Sequence, residues 1–246
     1  MHHFIFSRGP IKLYPLPGTE EYVAKVARWL AGNLLKEAEK QKADLAEILY
    51  LDEDEIVELD KHLGNREDTL EFIVNTLTGH FDYFAHRNGA MEVSLKESSR
   101  KKDVFIFHTF SPANVVDYNK KEVTLSLSDQ EILLYNTLDA FLEAKCDSIR
   151  IFELNLGQAR SDRPKGRGSC NLRTFFRNIT ANGADHIMMY QIHSKKSLIG
   201  IDNRLINSVD DLDRIDYYAI DYTKVNEIIS KCRDKSMTFL NQCLYK

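Results

Sequence analysis

Val104-Phe105-Ile106-Phe107 is a nearly unbroken apolar run near the middle of the chain. Such a run is typical of a central strand that is covered on both faces. Two further strand-like runs, 149–154 and 186–190, follow it, and helical patterns near 129–142 and 169–182 separate the three. Alternating strands and helices with short links predict an α/β fold. The three runs should be adjacent parallel strands of an open sheet with helices on both faces.

Small polar residues mark the predicted starts of three helices. Thr19, Asp129 and Ser169 each offer a side-chain oxygen that can cap a helix. Apolar residues at helical spacing after Thr19 predict an amphipathic helix over 19–42. Gly183 is predicted to end the helix that Ser169 begins, because glycine readily adopts the left-handed conformation found after helix ends.

Four other segments complete the assignment. Residues 11–14 are predicted to form a short opening strand, and the period-two alternation at 91–95 predicts a strand with one buried face. The acidic stretch 52–72 is interpreted as a solvated helix or an insertion, since a run of charges is most often a solvated face. Residues 111–128, with several polar side chains, are predicted to form an irregular loop or a hairpin.

The composition indicates an ordinary globular protein without a general affinity for polyanions. Apolar residues make up 43% of the 246-residue chain and charged residues 28%. The net charge of −4 argues against attraction of the whole surface to nucleic acid or to an anionic membrane. Any binding of phosphate must therefore come from a local basic patch.

The cysteines and the first residues bear on the compartment. The four cysteines include no pair at the two-residue spacing of zinc or redox motifs, so we expect reduced thiols. The residues from Met1 to Phe6 show no signal-peptide pattern, and no stretch approaches the ~20 apolar residues of a membrane span. We therefore expect a cytoplasmic protein that has neither membranes nor nucleic acid as partners.

The segment 157–169 is the most informative of the chain. In open parallel sheets ligands bind beyond the carboxyl ends of the strands, which directs attention to the loops that begin at His108, Leu156 and Gln191. The second of these loops places four cations within eight residues, together with three glycines, before a helix start. Glycine allows close approach of the backbone to a ligand, and free N–H groups at a helix start attract anions. Phosphate binding and a solvent-exposed basic loop remain equally good interpretations of this composition.

Ala159-Arg160-Ser161-Asp162-Arg163 resembles the Ala-Arg-Gln-Asp-Arg/Lys signature at the nucleotide site of ribose-phosphate pyrophosphokinases. This family makes phosphoribosyl pyrophosphate from ATP and ribose 5-phosphate. Four more collinear segments resemble parts of its amino-terminal half: 97–106, 181–187, 191–193 and 208–212. The match runs from about residue 11 to 212, with extra segments near 45–80 and 111–128.

The resemblance implies a phosphoribosyltransferase-like open parallel sheet and a set of site residues. The residues that would contact ATP are Arg160, Ser161, Asp162 and Asn88. Those that would bind phosphate are Arg163, Lys165 and Arg167. His193, at the histidine of the family's Asp-Leu-His motif, would help to hold the Mg²⁺ that bridges the ATP phosphates; magnesium spreads charge during such a transfer.

The chain also departs from the family pattern. Its hairpin, which in the family reaches into the adenine pocket of a neighbouring subunit, has His86 for an aromatic residue and Ala90 for a glutamate. Alanine cannot make the hydrogen bonds that this glutamate makes to the base. Ser161 replaces a glutamine, and Gln191 replaces an aspartate beside the metal histidine.

Two functions remain open after this comparison of motifs. The chain, interpreted over 1–246 as one amino-terminal-like domain, contains no segment like the ribose 5-phosphate loop of the family's second domain. We expect it to supply the ATP side of the enzyme within a homo-oligomer, and not to make phosphoribosyl pyrophosphate alone. The alternative is a non-catalytic regulatory or scaffolding homologue. RNA binding by the basic loop is a weaker third hypothesis, since no aromatic residue interleaves its cations.

Overall fold

The computed structural model describes residues 10–42, 44–117, 119–158, 160–161 and 167–189. The strands are β1 (Ile11–Pro15), β2 (Phe81–Ala85), β3 (Met91–Leu95), β4 (Asp103–His108), β5 (Asn114–Val116), β6 (Glu122–Thr124), β7 (Ser148–Glu153) and β8 (His186–Met189). The helices are α1 (Glu20–Gln41), α2 (Leu45–Leu49), α3 (Glu53–His62), α4 (Arg66–Leu77), α5 (Leu127–Glu143) and α6 (Asn171–Ala181).

A four-stranded parallel sheet in the order β1-β4-β7-β8 forms the centre of the fold. Every residue of β4 and of β7 is buried, as their apolar runs predict. The prediction that 104–107, 149–154 and 186–190 form adjacent parallel strands is confirmed, and so is the opening strand. Because all strands run the same way, their carboxyl ends share one edge of the sheet, called here the carboxyl edge.

Side chains of successive strand residues pack on opposite faces of the sheet and form two cores. On one face Val104, Ile106 and Ile151 pack with residues of α5 and α6. On the other face Phe105 and Phe107 pack with residues of α1 and α4. Helices therefore cover both faces, and the predicted α/β fold class is confirmed.

For two segments the structure shows one of the two predicted alternatives: the acidic stretch 52–72 is helical, and residues 111–128 contain a hairpin. The acidic segment forms α3 and most of α4, and α4 also contributes fully buried Ile73 to the second core. Residues 111–128 contain the antiparallel hairpin β5–β6. Residues 91–95 form β3 as predicted, but in a separate two-stranded sheet with β2, where Asn136 of α5 donates a hydrogen bond to the Met91 carbonyl at 2.8 Å.

Two of the residues predicted to cap helices, Thr19 and Asp129, do not make the side-chain hydrogen bond of an N-cap. Thr19 precedes α1, but its hydroxyl lies 2.8 Å from the Leu16 carbonyl and 3.1 Å from that of Phe107 and donates there. The N-cap of α5 is Ser126, and Asp129 is the third helical residue, which bonds back to the Ser126 N–H in a capping box. Gly183 follows α6 with φ +91°, as predicted.

No helix among the described residues is long and apolar enough to cross a membrane.

Candidate functional site

Two ionisable side chains meet at the carboxyl edge. His108 ends β4, Glu153 ends β7, and the strand register places them directly opposite each other. The His108 Nδ1 lies 2.6 Å from the Glu153 Oε2, and the two residues are 3% and 0% exposed. Sequence reasoning singled out the loop that begins at His108 but missed this pair. The feature of the sequence that could have indicated the pair is a histidine at the end of one apolar strand and a glutamate at the end of the neighbouring one.

Backbone and side-chain hydrogen bonds join the loop after β4 to the loop after β7. The Leu154 N–H donates to the His108 carbonyl at 2.8 Å, and the Phe110 N–H donates to the Asn155 carbonyl at 3.1 Å. The Asn155 side chain donates to the Ser111 hydroxyl at 3.1 Å. The two loops therefore form one connected structure at the carboxyl edge.

Ring contacts of Phe110 join these loops to the basic segment 157–169. The Phe110 ring stands edge-on to the His108 ring, with centroids 4.6 Å apart, and lies 5.6 Å from the Phe175 ring of α6. A Cβ on Gly157 would lie only 2.5 Å from the Phe110 Cγ. Glycine is required at 157 because the aromatic ring approaches the backbone so closely.

The next turn of the basic loop is tied to α5. The Gln158 side chain donates to the Glu131 carboxylate at 2.7 Å, and the Ser161 N–H donates to the Gln158 carbonyl at 2.9 Å. Burial raises the pKa of the nearby Tyr135 hydroxyl to about 12. These contacts position the residues on both sides of Arg160.

Ser161 caps α6 from ten residues upstream. The Asn171 N–H donates to the Ser161 hydroxyl at 3.2 Å, and the Leu172 N–H donates to the Ser161 carbonyl at 3.2 Å. The predicted cap Ser169 is wrong: the N-cap position is Cys170, which makes no side-chain cap bond, and the Ser169 hydroxyl bonds to Asn171 Oδ1. Two of the first N–H groups of α6 are thus occupied, so binding of an anion here depends mainly on side chains.

Arg160 and Arg167 are exposed, and neither makes a hydrogen bond or ion pair with other residues in the part of the chain that the structure describes. Both lie on the loop that leaves the carboxyl end of β7, where a ligand can reach their guanidinium groups. An exposed cation without a partner at a carboxyl edge can bind phosphate oxygens through paired N–H donors.

The structure does not bring all predicted site residues together. Asn88 lies in the exposed β2–β3 turn, where its Oδ1 accepts a hydrogen bond from the Ala90 N–H at 3.1 Å. No hydrogen bond among the described residues joins Asn88 to Arg160 or Ser161. The predicted positions Asp162, Arg163, Lys165 and His193 lie outside the described residues.

The described residues contain no group of three or more histidine, cysteine, aspartate or glutamate side chains that could hold a metal ion. They therefore do not fit a dedicated protein site for Mg²⁺. A magnesium ion at this edge would take its ligands from phosphate oxygens, from water and from residues beyond the described ranges.

Comparisons with known proteins give a distant likeness. No protein-family model matches the chain, and no curated protein matches it. Among solved structures, the chain is similar to the crystal structure of phosphoribosylpyrophosphate synthetase from Mycobacterium smegmatis, with 14% identity and a TM-score of 0.49. The match covers 78% of this chain and 46% of that one, so the chain spans less than half the length of the matched protein.

Proposed function

We propose that the chain binds ATP at the carboxyl edge and supplies the ATP-side half of a ribose-phosphate pyrophosphokinase-type protein. In this activity the β,γ-pyrophosphoryl group of ATP passes to the 1-hydroxyl of ribose 5-phosphate, with Mg²⁺ present. The observation that carries the proposal is the pair of exposed arginines on the loop that leaves β7, Arg160 and Arg167, which make no hydrogen bond or ion pair with any described residue.

The charge of the surrounding sequence supports binding of a polyanion. Between Leu154 and Ala184 the only acidic residue is Asp162, whereas the basic residues are Arg160, Arg163, Lys165, Arg167, Arg173 and Arg177. The chain as a whole has a net charge of −4, so this positive charge is local. A triphosphate matches it because guanidinium groups bind phosphate oxygens in a planar, bidentate geometry.

Ser161 takes two roles in the proposal. Its hydroxyl oxygen accepts a hydrogen bond from the Asn171 N–H, and the O–H itself remains able to donate to a phosphate oxygen. Its backbone carbonyl fixes the start of α6, which places the neighbouring Arg160 relative to the sheet. Asp162 completes the proposed nucleotide contacts within this chain, and Arg163 and Lys165 the phosphate contacts. Asn88 would contact the nucleotide of a neighbouring subunit, as the resemblance implies.

Arg160→Ala should weaken ATP binding by roughly 1.5–3 kcal/mol, the range for a hydrogen bond to a charged group. Calorimetric titration of ATP into the 246-residue chain measures this. The matched control is Arg100→Ala, which removes an exposed arginine just before β4, at the opposite edge of the sheet. If the wild type and Arg160→Ala bind ATP equally well, the proposal of a nucleotide site at Arg160 is contradicted. Equal losses of ATP affinity in both variants would mean that Arg160 acts only through the net charge of the protein.

His193→Ala should weaken ATP binding only when Mg²⁺ is present, because the proposed contact of His193 acts through the metal. The measurement is the same titration, repeated in Mg²⁺ and in a metal chelator. His80→Ala, which changes an exposed histidine next to β2, is the control for loss of an imidazole. A loss of affinity for the His193 variant that is as large in the chelator as in Mg²⁺ would contradict the metal role.

The second candidate function is a non-catalytic regulatory or scaffolding homologue. It is favoured by the hairpin turn, where Ala90 lacks a side-chain acceptor and the Asn88 side chain bonds within the turn itself. His86 bonds to Glu92 at 2.8 Å on the same hairpin. A wild-type chain that binds no ATP with or without Mg²⁺ would leave this candidate ahead. Association with identical subunits belongs to both candidates and remains a prediction.

A further inference from the structure

The His108–Glu153 pair is built into the sheet, although the proposed nucleotide contacts do not use it. Both side chains are more than nine-tenths buried, and their register fixes them opposite each other. The His108 Nε2 is also buried and has no hydrogen-bond partner among the described residues. In the part of the chain that the structure describes, the imidazole is therefore held by one hydrogen bond to Glu153 and by ring contacts. Buried polar atoms nearly always have a hydrogen-bond partner, so a buried nitrogen without one needs a physical explanation.

Glu153 connects the two loops of the carboxyl edge through its two oxygens. Its Oε2 binds the His108 Nδ1 at 2.6 Å, and its Oε1 accepts a longer hydrogen bond, 3.4 Å, from the Asn155 N–H. The Asn155 carbonyl in turn accepts from the Phe110 N–H. One carboxylate therefore contacts the end of β4 and the first turn of the loop that carries Arg160.

The orientation of the His108 ring affects the neighbouring Phe110 ring by direct contact. It meets the Phe110 ring edge-on at 4.6 Å, and Phe110 fills the space in which a Cβ of residue 157 would stand. His108 is buried and Phe110 is half-buried between the His108 ring and the Gly157 backbone, so a change in the His108 orientation acts first on Phe110 and through it on Gly157. Gly157 lies three residues before Arg160.

We propose that Glu153 and His108 are positioning residues for nucleotide binding: they fix Phe110 against Gly157 and thereby set the place of the loop that carries Arg160 and Ser161. The inference rests on the proposed function for its ligand, but the placement of the loop can be measured without one. The pair contacts no ligand itself. Its effect on binding passes through Phe110, Gly157 and the Asn155 backbone.

Glu153→Gln is the variant that tests this inference, because it keeps the shape of the side chain and an acceptor oxygen but removes the charge. The matched control is Asp103→Asn on the same two strands. Asp103 accepts a hydrogen bond from Ser148, its partner in register, and lies five residues before His108. That distance is roughly 17 Å along an extended strand. Both variants remove one buried carboxylate charge from the same strand pair, at opposite edges. Asp103→Asn also removes the ion pair with Arg150, so it is the stricter control for lost stability, and both variants are compared under conditions in which they are folded.

The first readout uses no ligand. In two-dimensional ¹H–¹⁵N spectra, the amide signals of Gly157 and Gln158 should shift in Glu153→Gln and stay in place in Asp103→Asn. Unchanged Gly157 and Gln158 signals in Glu153→Gln would overturn the inference, whatever the chain binds. The His108 imidazole signals should also move when ATP is added to the wild type, and their failure to move while ATP binds would likewise contradict it.

The second readout is affinity for ATP. Glu153→Gln should weaken binding roughly tenfold, the order of one weakened hydrogen bond, while Asp103→Asn should bind as the wild type does. Equal losses in the two variants would mean a general effect on stability and would overturn the positioning role. Gly157→Ala displaces Phe110 from the other side and should reproduce the loss, which covers the case in which Glu153→Gln does not fold. If the wild type binds no ATP, the proposed function fails, and the amide signals alone decide whether the pair positions the loop.

Discussion

Asp103→Ala is expected to lower the free energy of unfolding by about 3–5 kcal/mol, the usual cost of removing one partner of a buried ion pair. Asp103 is fully buried, and its Oδ2 lies 3.4 Å from the Nη1 of Arg150, which is 3% exposed. The Arg150 guanidinium also stands 5.0 Å from the centre of the Phe105 ring, but its Nε has no hydrogen-bond partner among the residues that the structure describes. Without Asp103 the buried arginine would lose the carboxylate that balances its charge.

Urea unfolding followed by the fluorescence of Trp29, the single tryptophan, measures the effect. The control Glu67→Ala removes one of the two carboxylate partners of Arg28 on the surface and should change little, because water screens an exposed ion pair. A second test removes the charge itself: Asp103→Ala with Arg150→Met should recover much of the lost stability, since no unpaired charge remains. A single variant as stable as the wild type would mean that Arg150 finds water or another partner.

The sequence predicted the sheet well because its strands are decided by local pattern. The run Val104-Phe105-Ile106-Phe107 is apolar at every position, and in the structure both of its faces are buried. A strand with alternating polarity, such as 91–95, was also found, but the sheet to which it belongs could not be predicted. Pairing depends on contacts between residues far apart in the chain, and alternation carries no information about the partner.

The helix caps show the same limit at the level of single hydrogen bonds. Thr19 is the right kind of residue in the right place, yet its hydroxyl donates to the carbonyl of Phe107, 88 residues away in the sequence. Ser161 is not adjacent to α6, yet it occupies the two N–H groups that the sequence assigned to Ser169 or to a bound anion. Capping propensity ranks residue types, but the folded chain decides which oxygen reaches the N–H.

The candidate site was predictable as a region and not as a set of contacts. The rule that ligands bind at the carboxyl ends of parallel strands pointed to the loops after His108 and Leu156, and these loops do meet. The pairing of His108 with Glu153 required the register of β4 against β7, which only the structure supplies. The cations of the loop 160–167 could be recognised in the sequence because they are clustered. His108 and Glu153 could not, because they are 45 residues apart and each is the single ionisable residue at the carboxyl end of its apolar strand.

Gly79→Ala is expected to destabilise the fold by about 3 kcal/mol, the upper end of the range for overpacking a core. A Cβ at this position would lie 2.2 Å from Cε1 and 2.3 Å from Cζ of Tyr14. Tyr14 cannot move aside easily, because its side chain is fully buried, its hydroxyl is 2.8 Å from the Ser99 hydroxyl, and its ring stands edge-on to Phe141 at 4.6 Å. The Gly79 backbone cannot retreat without loss either, since its N–H donates to the Leu13 carbonyl at 2.9 Å.

Gly64→Ala is the matched control, because a Cβ at Gly64 has no heavy atom within 4 Å. It should leave stability unchanged or raise it slightly, since alanine reduces the entropy of the unfolded chain. Urea unfolding of both variants gives the comparison, and Tyr14→Ala supplies a further test. In the double variant Tyr14→Ala with Gly79→Ala the clash is gone, so its destabilisation should be clearly smaller than the sum of the single effects. Additive effects would mean that the added methyl group is accommodated by a shift of the backbone near Gly79 and not by contact with Tyr14.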